Sequence, residues 1–192
     1  MLSSLLTVLR DAVNEYLAAT AGWDGAQTEH GQVVFLESDK LDLVEFKLGS
    51  ITLLLVNLAQ EHAIRPADPH RMMLSDGTVM RASPPIHLNV DVMFVARFKE
   101  YRQSLRSLSL ILKFFQAQRC FDHESAPALS PEIEKVTVEL LTPPLQEQQN
   151  LWSLLKSAYQ PSLLYRLRML VVQEAGGVRV PPVTSAPTAV GT

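Results

Sequence analysis

The sequence predicts an α+β fold in which a mainly antiparallel sheet is flanked by two long helices and one short helix. Two segments, 3–19 and 99–117, repeat apolar residues at the three- and four-residue spacing of amphipathic helices. Other segments, of which 86–97 is the clearest, alternate apolar and polar residues as half-buried strands do. The order is helix, strands, hairpin, long strand, helix, strand, helix and strand, which favours an antiparallel sheet covered by helices.

The first helix is predicted from Ser3 to Ala19. One stripe of it carries the apolar residues Leu2, Leu5, Leu6, Leu9, Val13, Tyr16 and Leu17. Gly22 is well placed to end the helix, because glycine readily adopts the left-handed conformation found after helix ends. Two or three strands follow, predicted by the β-branched-rich runs Val33–Leu36, Val44–Phe46 and Ile51–Leu58.

The middle of the chain is predicted to hold a hairpin, the longest strand and the second long helix. Asp76 and Gly77 supply the tight turn of the hairpin, between short apolar runs at 72–74 and 79–80. The strand runs from Ile86 to Arg97, and the helix from Lys99 to Ala117. The inward side of this helix is predicted to carry Tyr101, Leu105, Leu108, Ile111, Leu112 and Phe115.

The last third of the chain predicts a strand, a short helix and a final strand. These elements run from Ile133 to Leu140, from Pro143 to Lys156 and from Leu163 to Val172, the last with both faces covered. In the short helix, Leu145, Trp152 and Leu155 are predicted to face inward. Residues 1–174 are interpreted as one domain, and residues 175–192 as a Pro/Gly/Thr-rich tail without an apolar pattern, disordered on its own.

Composition argues against several classes of function. A formal net charge of -3 gives no reason to expect nucleic-acid binding. No run of about 18 apolar residues occurs, so membrane insertion is not expected. The first twenty residues lack the basic start and apolar stretch of a signal peptide, which predicts synthesis in the cytoplasm, and the single Cys120 fits a reducing compartment.

The sequence shows no recognisable catalytic, metal or cofactor motif. Its five histidines are scattered, and neither a phosphate-binding glycine loop nor a serine nucleophile elbow is present, so no metal, cofactor or catalytic residue is predicted. One alternative is a small cytosolic enzyme of unknown reaction with a site at His87, Asn89 and Asp91, which share a strand face. The simpler interpretation is that a helix or a neighbouring subunit satisfies these polar groups.

The second half of the chain contains a recognisable combination of short segments. Pro84-Pro85-Ile86-His87-Leu88-Asn89 opens a strand, Leu110-Ile111-Leu112-Lys113-Phe114-Phe115-Gln116 ends a helix, and Leu151-Trp152 precedes Tyr159, Pro161-Ser162, Leu164-Tyr165-Arg166 and Arg168-Met169. In their order and spacing these segments resemble the tail-terminator or cap proteins of extracellular contractile injection systems. That class includes the antifeeding prophage and the Photorhabdus virulence cassettes.

This resemblance implies a phage tail-terminator-like fold and a structural role. The subunit would join copies of itself into a six-fold ring that closes the distal end of the inner tube and contacts the last sheath layer of a bacterial particle, either intracellular or released. Interface candidates are basic or amide side chains: Arg97, Arg102, Arg106, Lys113, Gln146, Gln149, Arg166 and Arg168. A phage-type connector or assembly factor of the same wider group is a further alternative.

Overall fold

The computed structural model describes residues 1–20, 32–36, 44–61, 72–73, 79–81, 86–171 and 178–180. Its helices are α1 (Leu2–Ala19), α2 (Tyr101–Ala117) and α3 (Leu145–Leu154). Its strands are β1 (Val33–Phe35), β2 (Ser50–Gln60), β3 (Met72–Met73), β4 (Val79–Arg81), β5 (Ile86–Arg97), β6 (Cys120–Asp122), β7 (Ile133–Leu141), β8 (Ser162–Val171) and β9 (Val178–Val180).

Six strands form one sheet in the order β1-β2-β5-β8-β7-β6. Every neighbouring pair in it is antiparallel except β1 with β2, which is parallel. A second, three-stranded sheet has the order β3-β4-β9. The predicted α+β class with a mainly antiparallel sheet is therefore confirmed, and so is the hairpin, in which Met72 pairs with Met80.

Helices α1 and α2 cover one face of the large sheet, and the main core lies between them and the strands. On β5 this face carries Val90, Val92 and Phe94, which are fully buried as the alternating pattern predicts. The Phe94 ring lies 5.7 Å from the ring of Phe115 on α2, and Tyr16 of α1 lies 5.3 Å from Phe114, measured between ring centroids. These aromatic contacts join α2 to the sheet and α1 to α2.

Among the described helices, only α3 lies over the opposite face of the sheet, and it covers one end. There a smaller cluster packs Trp152 of α3 and Phe46 against Leu54, Met93 and Val95. The Phe46 and Trp152 rings meet edge to face at 5.9 Å. Beyond this cluster the same sheet face carries polar side chains, because no described helix lies over it.

Helix α2 is rotated relative to its predicted orientation. Leu108, Ile111 and Phe115 face the core as expected, but Tyr101, Leu105 and Leu112 are 65%, 45% and 37% exposed. Their inward places are taken by Ser104 and Ser107, both buried. These serines fit because they are small and hydrogen-bonded: Ser107 Oγ donates to the Gln103 carbonyl at 2.7 Å, and Ser104 Oγ accepts from the Phe98 N–H at 3.3 Å.

Two further expectations differ from the structure near α3 and β8. Trp152 is buried as predicted, whereas Leu145 is 80% exposed because it begins the helix, beyond the edge of the small cluster. The final strand is covered on one face only. On its other face Arg168 is exposed and Arg166 half-buried, since α3 reaches only the Leu164 end of the strand.

Two short strands were not predicted. β6 follows directly after α2 and pairs with β7, with Cys120 opposite Thr137. β9 lies within the segment interpreted as a tail and pairs with β4, with Val180 opposite Val79. The division into a domain of residues 1–174 and a tail of residues 175–192 stays a prediction, but residues 178–180 of that tail form a strand.

Candidate protein-binding surfaces

A network of polar side chains occupies the sheet face opposite α1 and α2, beyond the end that α3 covers. Asp91 is 6% exposed and binds Arg166 on the neighbouring strand β8 through two bonds, Nε to Oδ1 at 2.7 Å and Nη2 to Oδ2 at 3.1 Å. Asn57 Nδ2, on the strand at the other side, donates to Asp91 Oδ2 at 3.2 Å. The hydrogen bond to Asp91 raises the pKa of Arg166 above its ordinary value. This network links β2, β5 and β8.

The same network accounts for two of the three residues of the enzyme alternative, Asn89 and Asp91. Asp91 already accepts bonds on both oxygens, and Asn89 Nδ2 donates to Glu61 Oε2 at 3.0 Å. His87 is half-buried near the start of β5. The partners of Asn89 and Asp91 are side chains of the same chain, on or directly after neighbouring strands, and not a helix or a second subunit. Their arrangement is that of a structural network, in which Arg166 and Asn57 hold the Asp91 carboxylate.

Three of the eight predicted interface residues have partners within the chain that the described structure identifies. Arg166 holds Asp91, and Arg168 Nη2 lies 2.9 Å from Glu139 Oε2 in an exposed ion pair. Arg97 Nη1 donates to the carbonyl of Phe46 and so fixes the segment that carries this buried ring. The sequence pattern could not show these pairings, because each joins residues that are distant along the chain.

Two helical surfaces expose both the remaining predicted residues and large apolar side chains. The α2 surface consists of Tyr101, Leu105 and Leu112 together with Arg102, Arg106 and Lys113. The α3 surface consists of Leu145, Gln146, Gln149, Leu154 and Tyr159, and it borders a groove of about 410 Å³. Leu154 is 80% exposed. Exposed apolar residues grouped in this way are typical of protein contacts.

A third feature is a groove of about 450 Å³ between the end of α2 and β7, which we name the edge groove. It is lined by Leu112, Phe115, Gln116, Arg119, Val138, Glu139, Leu140 and Tyr165. Tyr165 is almost completely buried, and its hydroxyl finds no hydrogen-bond partner in the described structure. Burial accordingly raises the pKa of the Tyr165 phenol.

Within the described ranges, no group of three or more His, Cys, Asp or Glu side chains is arranged to hold a metal ion. None of the helices described is both long and apolar enough to cross a membrane.

Two solved structures share this fold. One is the cryo-EM structure of the sheath/tube terminator of PVC, an extracellular contractile injection system, in its extended state. It is 14% identical in sequence, with a TM-score of 0.55 over 97% of this chain and 63% of that chain. The other is the tube-terminating cap of the anti-feeding prophage, 16% identical, with a TM-score of 0.52 over 98% of this chain and 59% of that chain.

The present chain thus spans about 60% of the length of the two solved proteins. No curated protein matches its sequence. The sequence profile of the Pvc16 N-terminal domain matches residues 4–186, which is nearly the whole chain. The chain therefore belongs to the Pvc16 N-terminal domain family.

Proposed function

We propose that this chain is a structural, non-catalytic cap that closes the distal end of the inner tube and sheath of a phage-tail-like contractile injection system. The observation that carries the proposal is the family match over residues 4–186, joined to the shared fold of a sheath/tube terminator and a tube-terminating cap. An alternative connector or assembly factor has no observation in its favour beyond the same fold. The polar network around Asp91 supports a non-catalytic role, because its acidic and amide groups are occupied by hydrogen bonds within the chain.

The proposed assembly is a six-fold ring of identical subunits. A ring forms when one surface of a subunit binds a different surface of the next copy and the rotation closes. The α2 and α3 surfaces supply two different patches of this kind, since helices α2 and α3 pack on opposite faces of the sheet. Arg102, Arg106 and Lys113 on one, and Gln146 and Gln149 on the other, provide polar contacts around the apolar residues.

The inner tube and the sheath are the proposed partners of the ring. The chain is expected to be made in the bacterial cytoplasm and to become part of a particle that stays in the cell or is released. A net charge of -3 supports protein partners over nucleic acid. Within the described ranges, six of the exposed large apolar side chains lie on the α2 and α3 surfaces, which a neighbouring subunit would cover.

Electron microscopy of the purified chain, and of particles assembled without it, tests the cap. We expect six-fold rings of the chain, and tubes of uncontrolled length when it is deleted. A chain that stays monomeric at high concentration and whose deletion leaves particle length unchanged is not a cap.

A matched pair of variants tests whether the α3 surface forms the contact between subunits of the ring. Leu154→Gln should abolish ring formation while leaving the fold intact, because Leu154 is 80% exposed and outside the core. Glu15→Ala, which shortens an exposed polar side chain on α1, outside the α3 surface, is the control and should form rings normally. Rings formed equally by both variants would exclude the α3 surface from the ring contact.

A further inference from the structure

A groove of about 520 Å³ runs along α1, and we name it the α1 groove. Its lining residues on α1 recur three and four positions apart from Ser4 to Ala19, so they form one face of the helix. That face is about 22 Å long, since a helix rises 1.5 Å per residue. The opposite wall consists of the end of α2 and of residues 125–128, which follow β6.

The floor of the α1 groove is apolar. It is formed by Val8, Phe114, Phe121 and Ala126, each of which is less than a tenth exposed. On the α1 side, the small side chain of Ala12 leaves room above this floor. Two helices pack with their axes about 8–10 Å apart when the side chains between them are of suitable size. The shape of the groove therefore suits a second helix lying along α1.

The walls of the groove offer an incoming segment few backbone groups to bond. The backbone groups within α1 are bonded inside the helix. In the loop, the N–H groups of Ser125 and Ala126 donate to the carboxylate and the carbonyl of Asp122, at 2.9 and 2.8 Å. The Ala128 carbonyl accepts from the Ser4 hydroxyl at 3.1 Å. An occupant must therefore satisfy its own backbone groups, as a helix does and an extended strand does not.

The rim of the groove is negative. Among the described residues, the charged side chains that line it are Asp11 and Glu15, one turn apart on α1. Arg10 Nη2 lies 2.7 Å from Asp11 Oδ1 and offsets part of that charge, but its guanidinium lies over the Phe35 ring at 4.8 Å and does not line the groove. None of the ion pairs in the described structure includes Glu15. Basic side chains on an occupant are complementary to this rim.

We propose that the α1 groove binds one amphipathic helix of a second kind of protein chain. Apolar side chains of that helix pack on Val8, Phe114 and Phe121, and two basic residues one turn apart contact Asp11 and Glu15. Binding of this kind takes its affinity from the apolar residues on one helix face. The charges beside them supply selectivity. The inference names a partner contact of the cap and so rests on the proposed function.

A second copy of this chain is the competing occupant, since α2 exposes Leu105 beside Arg102. The ring contact proposed above already uses this α2 surface, and one surface cannot serve two contacts at once. The α1 groove shares no residue with the α2 or α3 surface. It is thus a separate surface, which leaves it to a different component of the particle.

Calorimetric titration and NMR of the full chain test this site. The probe is an acetylated and amidated alanine-based helical peptide of about five turns, with leucines along one stripe and pairs of arginines four residues apart beside it. It should bind and shift the amide signals of Ala12 and Ala126. Its affinity should fall several-fold when the ionic strength is raised from about 0.05 to about 0.5 M. A peptide with glutamate in place of arginine should bind about tenfold more weakly.

Two pairs of variants locate the site. Ala12→Gln places a long side chain in the groove and should weaken binding about tenfold, whereas Ala18→Gln, at an exposed position of α1 that does not line the groove, should bind as the native chain does. Glu15→Lys reverses a charge on the rim and should also weaken binding about tenfold. Glu134→Lys, the same change at an exposed position of β7, is its control. If Ala12→Gln does not fold, Glu15→Lys decides alone.

Three results would overturn the inference. Failure of the arginine peptide to bind, or equal affinity of the arginine and glutamate peptides, means that the rim does not select a basic helix. Equal affinity of the native chain and the Ala12→Gln and Glu15→Lys variants means that the peptide binds elsewhere. Shifts of the Ala12 signal that appear without peptide as the protein concentration rises mean that a second copy fills the groove.

Failure of this inference and failure of the cap function give different results. Glu15→Lys should still form rings, because Glu15 lies outside the α2 and α3 surfaces. None of the peptide measurements uses particle assembly, so the cap function stands or fails separately through ring formation and particle length.

Discussion

The side chain of Asn14 completes the hydrogen bonding of Val33 on both its N–H and its carbonyl, at 2.8 and 3.0 Å. Its Oδ1 also accepts from the Gln32 N–H at 3.0 Å. One residue of α1 thereby closes the outer edge of the sheet at β1, where exposed strand edges otherwise invite pairing with other chains. It also ties the first helix to the sheet, because the three bonds join residues that are 18 or 19 positions apart.

Asn14→Ala should lower the free energy of unfolding by about 2 kcal/mol, since two backbone N–H groups and one carbonyl lose their partner at a buried position. Val33 is fully buried and Gln32 nearly so, which limits replacement of these bonds by water. Urea unfolding followed by Trp fluorescence measures the change. Glu15→Ala, at the exposed neighbouring position, is the control, and an equal effect of both substitutions would contradict a role for the edge bonds.

The paired bonds from Arg166 to Asp91 should make the guanidinium hard to replace. Arg166→Lys keeps the charge but cannot form both bonds at once, and it should cost about 1 kcal/mol in unfolding free energy. The expected loss of unfolding free energy is small, because about a third of the Arg166 side chain is exposed and water screens the ion pair.

Arg168→Lys supplies the matched control for this prediction. Its partner Glu139 is on the surface, and both side chains of that pair are more than half exposed, so the substitution should change stability very little. Unfolding in guanidinium chloride compares the two variants. If they unfold at the same denaturant concentration, the Asp91 network contributes no more than a surface ion pair.

Substitution of the exposed Leu105 of α2 should affect stability much less than substitution of the buried Leu108. Leu105→Ser should leave the unfolding midpoint nearly unchanged, because Leu105 is exposed in the free chain, and it should weaken ring formation under the proposed function. Leu108→Ser should lower stability by about 3 kcal/mol, because it removes a buried side chain and introduces a hydroxyl into the core. Calorimetry and size-exclusion chromatography measure the two effects. Intact ring formation by Leu105→Ser would exclude this part of the α2 surface from the contact.

The sequence predicted correctly those helices and strands in which a regular hydrophobic pattern continues over many consecutive residues. The observed bounds of β5, Ile86 and Arg97, are those predicted from alternation, and α1 and α2 begin and end within two residues of their predictions. The orientation of α2 was predicted incorrectly because apolar spacing assigned leucines to the core, whereas Ser104 and Ser107 lie there with satisfied hydroxyls. Hydropathy alone gives no sign that a serine can bond backbone groups of its own helix or the turn before it.

The candidate surfaces were less predictable than the fold. The helical pattern correctly implied that five interface candidates are exposed: Arg102, Arg106, Lys113, Gln146 and Gln149. It could not predict where β6 stops pairing with β7. Strands of three residues, such as β6 and β9, carry too short a pattern to be recognised. The hydrogen bonds from Asn14 to Val33 and the unpartnered hydroxyl of Tyr165 arise from tertiary contacts, which a local pattern does not encode.

The turn after β6 should make the acid stability of the chain depend on Ser125. The Asp122 carboxylate accepts from the Ser125 N–H at 2.9 Å and from its hydroxyl at 2.8 Å, and these bonds hold the pKa of Asp122 below the ordinary 3.8. A carboxyl whose folded-state pKa is depressed adds stability that is fully present above the unfolded-state value. That stability is lost as the pH falls through the folded-state value.

Ser125→Ala removes the hydroxyl bond and keeps the backbone bond, so it should raise the Asp122 pKa part of the way towards 3.8. The native chain should be the more stable of the two at neutral pH, and the difference should shrink as the pH falls below 3.8. Carbon-detected NMR titration gives the pKa, and thermal unfolding across the acid range gives the stability. Ser130→Ala is the control, because the Ser130 hydroxyl lies 3.5 Å from Glu132 in a weaker contact. A stability difference that does not change with pH would show that Ser125 acts without the charge of Asp122.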